Sequence, residues 1–331
     1  MSESQPVCLV LGATGFIGGH IARCALEEGY HVRGYRRDPG STGHLGKVDI
    51  NWFNGDLTDL EALVKAMQAV DVVFHAAAFY PSHSNASEVA EQVAYASGEI
   101  KGIIQAARQT KVSRFVYTSS LTTIGQPPSG TNRLADESDF YIPGTLAKSA
   151  YYESKIAMEA CVLEAARDGF PAVVVNPTAV FGPGDVHLTL GKILIAIKRG
   201  YVIAWVPATT NVVDVRDIAI GHLAAAQKGR IGERYILGGF NTSIKDIIDR
   251  VASIFKVSPP RFYISINFIT LIVKIVDFLP FLSSGNHMRA IPFWQGFNTQ
   301  KTKQELGMVP RPFEETVEDA MSWFKKNGIE A

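Results

Sequence analysis

Cysteine is scarce in this chain: three thiols, Cys8, Cys24 and Cys161, in 331 residues. An odd number, set in one apolar run and two helical patterns, argues against a disulfide framework or a thiolate metal site. It reads as core filling in a reducing compartment. Net charge is missing too, because 32 Lys plus Arg balance 32 Asp plus Glu. That removes the electrostatic reason for a nucleic-acid partner. The N-terminal MSESQPV lacks a basic segment leading into an apolar one, so no signal peptide is expected and the protein is placed in the cytoplasm. The apolar stretch Phe262–Leu282 is not an uninterrupted span: Asn267, Lys274, Asp277 and Pro280 break it. Each charge would cost about 2.5–3.5 kcal/mol at the centre of a bilayer, and proline ends a helix. The stretch reads as a substrate-domain helix or the face of a homodimer, with peripheral membrane contact the lesser alternative.

Glycine, by contrast, is placed with purpose. The apolar run Val7–Leu11 ends at Gly12, and Gly15 and Gly18 follow at three-residue intervals, with Thr14, Phe16 and Ile17 between them. A buried parallel strand, a tight turn and a helix starting near Phe16 explain this spacing. Such a turn leaves backbone N–H groups unpaired at a helix N-terminus, where they hold a phosphate. The three glycines serve the turn, the close approach of a pyrophosphate, and close helix–strand packing.

Four more strand-and-helix units follow. The strand His31–Tyr35 ends in Arg36-Arg37-Asp38. Two guanidiniums there suit the 2′-phosphate of NADP(H), an acid suits the ribose of NAD(H), and a solvated basic loop is the plain alternative. The strand Ile50–Asn54 leads to Asp56 and Leu57, placed beside an adenine unless Asp56 or Thr58 only caps the next helix. The strand Asp71–His75 ends in Ala76-Ala77-Ala78, small residues that let a ligand lie on backbone. His75 itself reads as a structural histidine with its hydrogen bonds satisfied. A helix from about Val89 to Thr110 precedes the strand Arg114–Thr118, which ends in Ser119-Ser120. Alternating strands and helices predict an α/β fold: a doubly wound, parallel Rossmann sheet whose ligands gather at the strands' carboxyl ends.

Gly125–Ile142 is a polar connecting loop, and Tyr151 and Lys155 then fall four apart on a helix, sharing a face. A nearby ammonium lowers a phenol's pKa and fits it for proton transfer. An isolated pair of this kind is ordinarily a surface contact; following five βα units and a strand-end Ser-Ser, it reads as a catalytic pair. A sixth strand, Ala172–Asn176, opens into a Pro/Gly loop in which Pro177 and Val180 are placed against a nicotinamide. Thr118 joins the cofactor-binding set. Phe79, Tyr80, Thr122, Phe181 and Trp205 are candidate substrate contacts, the aromatic ones equally able to fill core. Residues 1–180, with 211–238 returning, are assigned to the cofactor domain. Residues 181–210 and 239–331 form a smaller, mainly helical substrate domain.

Gly12–Gly18, Gly55-Asp56-Leu57, His75–Ala78, Thr118–Ser120, Tyr151–Lys155 and Asn176-Pro177 together resemble the extended short-chain dehydrogenase/reductases, in order and spacing. Arg36-Arg37, Asn211–Asp217 and Gly232–Gly239 are similar to the dihydroflavonol 4-reductase-like group, which includes bacterial members labelled hopanoid-associated sugar epimerases. The resemblance implies a triad of Ser120, Tyr151 and Lys155, with Ser119 competing for the serine role. It implies NADPH-dependent reduction of an apolar carbonyl, with Tyr151 as proton donor and Lys155 on the nicotinamide ribose. A nucleotide-sugar epimerase or dehydratase, and a cofactor-binding protein without catalysis, are the alternatives. No metal is expected.

Overall fold

The computed structural model describes residues 5–77, 88–145, 149–278 and 290–329. Ala78, Phe79 and Tyr80 lie outside the described residues, as do residues 279–282 of the apolar stretch.

The first half of the chain builds β1 (Val7–Leu11), α1 (Phe16–Glu27), β2 (His31–Arg36), β3 (Asn51–Asn54), α2 (Leu60–Met67), β4 (Val72–His75), α3 (Val89–Gln109) and β5 (Arg114–Thr118). Then come α4 (Ala150–Arg167), β6 (Ala172–Pro177), β7 (Ala179–Phe181), α5 (Gly191–Lys198), β8 (Ala204–Trp205), β9 (Thr209–Asp214), α6 (Val215–Lys228) and β10 (Arg234–Leu237). The C-terminal part adds β11 (Phe240–Ser243), α7 (Ile244–Phe255), β12 (Phe262–Tyr263), α8 (Ile266–Phe278) and α9 (Phe313–Lys326).

Seven strands form one sheet in the order β10-β6-β5-β4-β1-β2-β3, every pairing parallel. Side chains alternate between its faces. Leu9, Leu11, Val73 and Phe115 pack with residues of α2, α3 and α4, whereas Cys8, Val10, Phe74 and Val116 pack with residues of α1 and α6. Burial on both faces is why these strands read as nearly continuous apolar runs. Strand order reverses between β1 and β4, the place where such sheets open a crevice at their carboxyl ends.

Two small sheets extend this frame, so the C-terminal part is helical but not only helical. β9 pairs parallel with β7 and antiparallel with β11, and β8 pairs parallel with β12. The chain therefore rejoins the central layer at α6 and not at residue 211, since β9 belongs to the small sheet. Asn211 ties that sheet together, its side-chain oxygen accepting from Thr178 Oγ1 at 2.9 Å and from the Gly239 amide at 2.8 Å. Helices α5, α7 and α9 close over it through Leu194, Ile248, Val317 and Phe324. The apolar stretch splits into β12 and α8, and among the described residues no helix is long and apolar enough to cross a membrane.

Candidate active site

The turn after β1 is built for a close neighbour. Gly12 has φ +86°, and a Cβ there would meet the Ala77 amide nitrogen at 2.7 Å; a Cβ on Gly18 would meet the Gly12 carbonyl oxygen at 2.1 Å. Gly15 caps α1 with no side-chain hydrogen bond. The first amides of that helix, from Phe16 to Gly18, have no partner within the helix and suit a pyrophosphate. The residues present therefore fit a dinucleotide.

At the far end of the sheet, the two arginines take different positions. Arg36 stacks on Trp52 at 4.5 Å and donates to Asn54 Oδ1 at 2.9 Å and to the Ser41 carbonyl at 2.8 Å, which pins it to the sheet edge. Arg37 is exposed, and its charge helps hold the Asp56 carboxyl below the usual range, after two hydrogen bonds from Thr58. Asp38 closes a turn by accepting from the Gly40 amide. Asp56 accepts from the Thr58 amide and hydroxyl at 3.0 and 2.7 Å, while the cap of α2 is Asp59, through the Ala62 amide. Neither Asp56 nor Thr58 is the cap, because Asp59 alone stands one residue before the helix. Leu57 lines a separate cavity of about 270 Å³ together with Tyr95 and Glu99.

Between the sheet's carboxyl edge and the C-terminal elements lies a cavity of about 600 Å³. Its cofactor-side wall includes Phe16, Ile17, Ala76, Pro177 and Val180. Thr118, Ser120, Thr122, Tyr151 and Lys155 form its polar corner, and Phe181 and Trp205 lie in its far wall. Lys155 is 3% exposed, donates to the Thr118 carbonyl at 3.2 Å, and lies 5.5 Å over the Tyr117 ring. Burial pulls its pKa down to about 8, while the carboxylates of Glu159 and Glu99 oppose that shift. The Thr118 hydroxyl meets His222 Nε2 at 2.8 Å, so this residue's link to the corner is its carbonyl.

Both serines of the doublet line the cavity. Ser119 is 5% exposed and its hydroxyl lies 3.3 Å from Thr123 Oγ1, within a buried network. Ser120 is half-buried at the cavity, its oxygen accepting the Thr122 amide at 3.2 Å. Thr122 Oγ1 is buried in the cavity wall with no hydrogen-bond partner among the described residues. His75 is fully buried, and neither ring nitrogen has such a partner, contrary to its reading as a satisfied histidine. It sits among Phe115, Tyr117 and the Lys155 charge, and burial lowers its pKa to about 3.

Sequence reasoning missed Tyr141, Gln295 and three residues of α7, namely Ile244, Ile247 and Ile248, which all line the cavity. The apolar spacing of α7 marks a core-facing helix but not which core it faces. Gln295, which donates to the Gly125 carbonyl at 2.8 Å, carries no signal of its own.

The family model for the NAD-dependent epimerase/dehydratase family matches residues 8–238. The chain belongs to this family. A putative dihydroflavonol 4-reductase from Synechocystis sp. is 33% identical, the match covering 96% of this chain and 94% of that one. Sterol demethylase protein B from Methylococcus capsulatus is 28% identical, over 97% and 99% of the two chains. The solved structure of a nucleoside-diphosphate-sugar epimerase from Pseudomonas aeruginosa superposes with a TM-score of 0.83, at 27% identity, covering 98% of this chain and 99% of that one. The protein is accordingly an NAD(P)-dependent oxidoreductase of the extended short-chain dehydrogenase/reductase type.

Proposed function

We propose that this enzyme is an NADPH-dependent reductase of an apolar ketone or aldehyde. The cavity carries the reading. Lys155 is the one charged side chain in its described lining, and the wall opposite is made by Phe181, Ile193, Trp205, Ile248 and Phe293. A sugar nucleotide would bring a diphosphate into a lining with no guanidinium to receive it. The names of two relatives, a dihydroflavonol reductase and a sterol demethylase component, accord with a flat, polycyclic carbonyl compound. Arg37, exposed beside Asp56, supports NADPH over NADH.

The nicotinamide cofactor supplies hydride to the carbonyl carbon when bound. Ser120 and Thr122 present hydroxyls to the carbonyl oxygen and orient it. Tyr151 gives its phenolic proton to the developing alkoxide. Lys155, one helical turn along α4 and held on the Thr118 carbonyl, places an ammonium beside that phenol and stabilises its anion. The apolar wall keeps water from the reacting carbon.

NADPH absorbance, followed across apolar ketones, aldehydes, flavonoids, steroids and nucleotide sugars, tests this. Consumption with an apolar carbonyl is expected. Isomerisation of a nucleotide sugar without net consumption would replace the reading with an epimerase. Cofactor binding with no turnover across the panel would replace it with a non-catalytic binding protein.

A further inference from the structure

The mouth of the cavity is rimmed by apolar side chains that stay exposed among the described residues. Ile193, Val202 and Trp205 line the cavity, and the same stretch exposes Tyr201 at 70% and Ile203 at 80%. Its strand β8 pairs with β12, where Phe262 and Tyr263 are 74% and 61% exposed. Helix α8 follows, burying Ile269 and Val273 but turning Phe268, Leu271 and Ile275 outward at more than half exposure each. Those three fall at i, i+3 and i+7, a single apolar stripe on the solvent face.

Cations outnumber acids in these stretches of the chain. From Asp185 to Asp214 it carries Lys192, Lys198 and Arg199 with no acid between; Lys256, Arg261 and Lys274 are exposed along the stretch that ends at Asp277, whereas Arg250 is paired with Glu314 at 3.4 Å. In a chain whose charges balance overall, this local excess is complementary to an anionic surface. Exposed aromatic and aliphatic residues on a stretch that also exposes Lys256, Arg261 and Lys274 match the chemistry of an element lying in the headgroup region of a bilayer. Helix α8 has 13 residues, roughly 20 Å at 1.5 Å per residue, too short to cross about 30 Å of hydrocarbon.

We propose that the β8–β12 strands and the outer face of α8 dock this enzyme on an anionic lipid bilayer, with the mouth of the substrate cavity against the membrane. An apolar substrate then passes from lipid into the cavity without crossing water. The docking involves none of the catalytic residues, so its readout is independent of the reductase reading.

Sedimentation of the full chain with vesicles tests it. Binding is expected to vesicles of phosphatidylcholine with about 30 mol % phosphatidylglycerol, and roughly 10-fold weaker binding to pure phosphatidylcholine or at high salt. Phe268→Glu/Leu271→Glu should abolish binding with an unchanged melting temperature, because both side chains are already exposed. Arg261→Glu/Lys274→Glu, which leaves the apolar stripe whole, should weaken it about 10-fold. No binding of the wild-type chain to anionic vesicles overturns the proposal, as does undiminished binding by the Phe268→Glu/Leu271→Glu variant. Conversion of a dimer to a monomer by that variant, in a protein that ignores vesicles, would also overturn it and assign the face to a second copy.

Discussion

Arg234 Nε stands 3.0 Å from Glu159 Oε1, with the two side chains 3% and 4% exposed. The other oxygen of Glu159 accepts from Thr123 Oγ1 and Asn176 Nδ2, each at 2.7 Å. Asn176 also donates to the Ser120 carbonyl at 3.2 Å. A carboxylate on α4 thus fixes the turn that carries Ser120 and Thr122. Glu159→Gln takes from the buried Arg234 the first of the three carboxylates that act on it, Glu137 and Asp139 being the others, and removing one partner of a buried pair costs about 3–5 kcal/mol. Thermal melts should show a drop of roughly 5–15 °C. Glu159→Leu/Arg234→Leu should recover part of it, and an unchanged melt in the single variant would rule out the anchoring role.

Tyr151→Phe removes the proton donor of the proposed mechanism and keeps the ring. Turnover should fall about 10²- to 10⁴-fold, with NADPH affinity, measured by fluorescence titration, nearly unaltered. Retained turnover would remove Tyr151 from the mechanism.

The Lys155 ammonium is present below its pKa of about 8 and lost above it. The pH profile of kcat/KM for reduction should accordingly be level below that value and decline beyond it. Glu99, buried on α3, favours the charged form of Lys155, and burial raises its own pKa to about 7. Glu99→Gln should move the inflection to lower pH. An inflection that stays in place would show that Glu99 has no hold on the lysine.

Two buried histidines, His75 and His222, and the half-buried His20 should make the fold sensitive to acid. Burial lowers His20 and His222 to about 4 and His75 to about 3, with His44 adding to the shift at His20. Below about 6.5 the unfolded chain binds protons there that the folded chain refuses, so stability falls with pH. The slope reaches about 1.4 kcal/mol per pH unit for each histidine. Melting temperatures should be flat above pH 7 and drop steeply between 6 and 4.5. His222→Gln, taking one such group away, should flatten that drop; equal slopes would contradict the assignment.

Arg37→Ala should raise the KM for NADPH at least ~10-fold and leave that for NADH little changed. Equal effects on both would point to a general electrostatic role away from the 2′-phosphate.

The central sheet was legible because strands buried on both faces read as unbroken apolar runs, each followed by a small or polar residue. Gly12, Asp56, Ala76 and Ser120 could be placed at the strands' carboxyl ends on that basis alone, and of these Ala76 and Ser120 line the cavity. The strands β8 and β12 could not, since two residues carry no period, and Phe262 was absorbed into a longer apolar stretch. The surroundings of Ser119 and Ser120 were hidden for another reason: both follow the same strand, and only the structure shows that Ser119 is the more buried and meets Thr123 Oγ1. The unsatisfied state of His75 was likewise invisible, because composition gives burial without giving partners.

The far wall of the cavity, formed by Phe181, Ile193, Trp205, Ile248 and Phe293, belongs to small sheets, helices and turns that share no strand pairing with the central sheet. Under the proposed reading the two sides of the cavity meet on one short strand, β7, with Val180 toward the cofactor and Phe181 toward the substrate. Changes at Ile193, Trp205, Ile248 and Phe293, away from that strand, should alter substrate preference and leave NADPH affinity as it is.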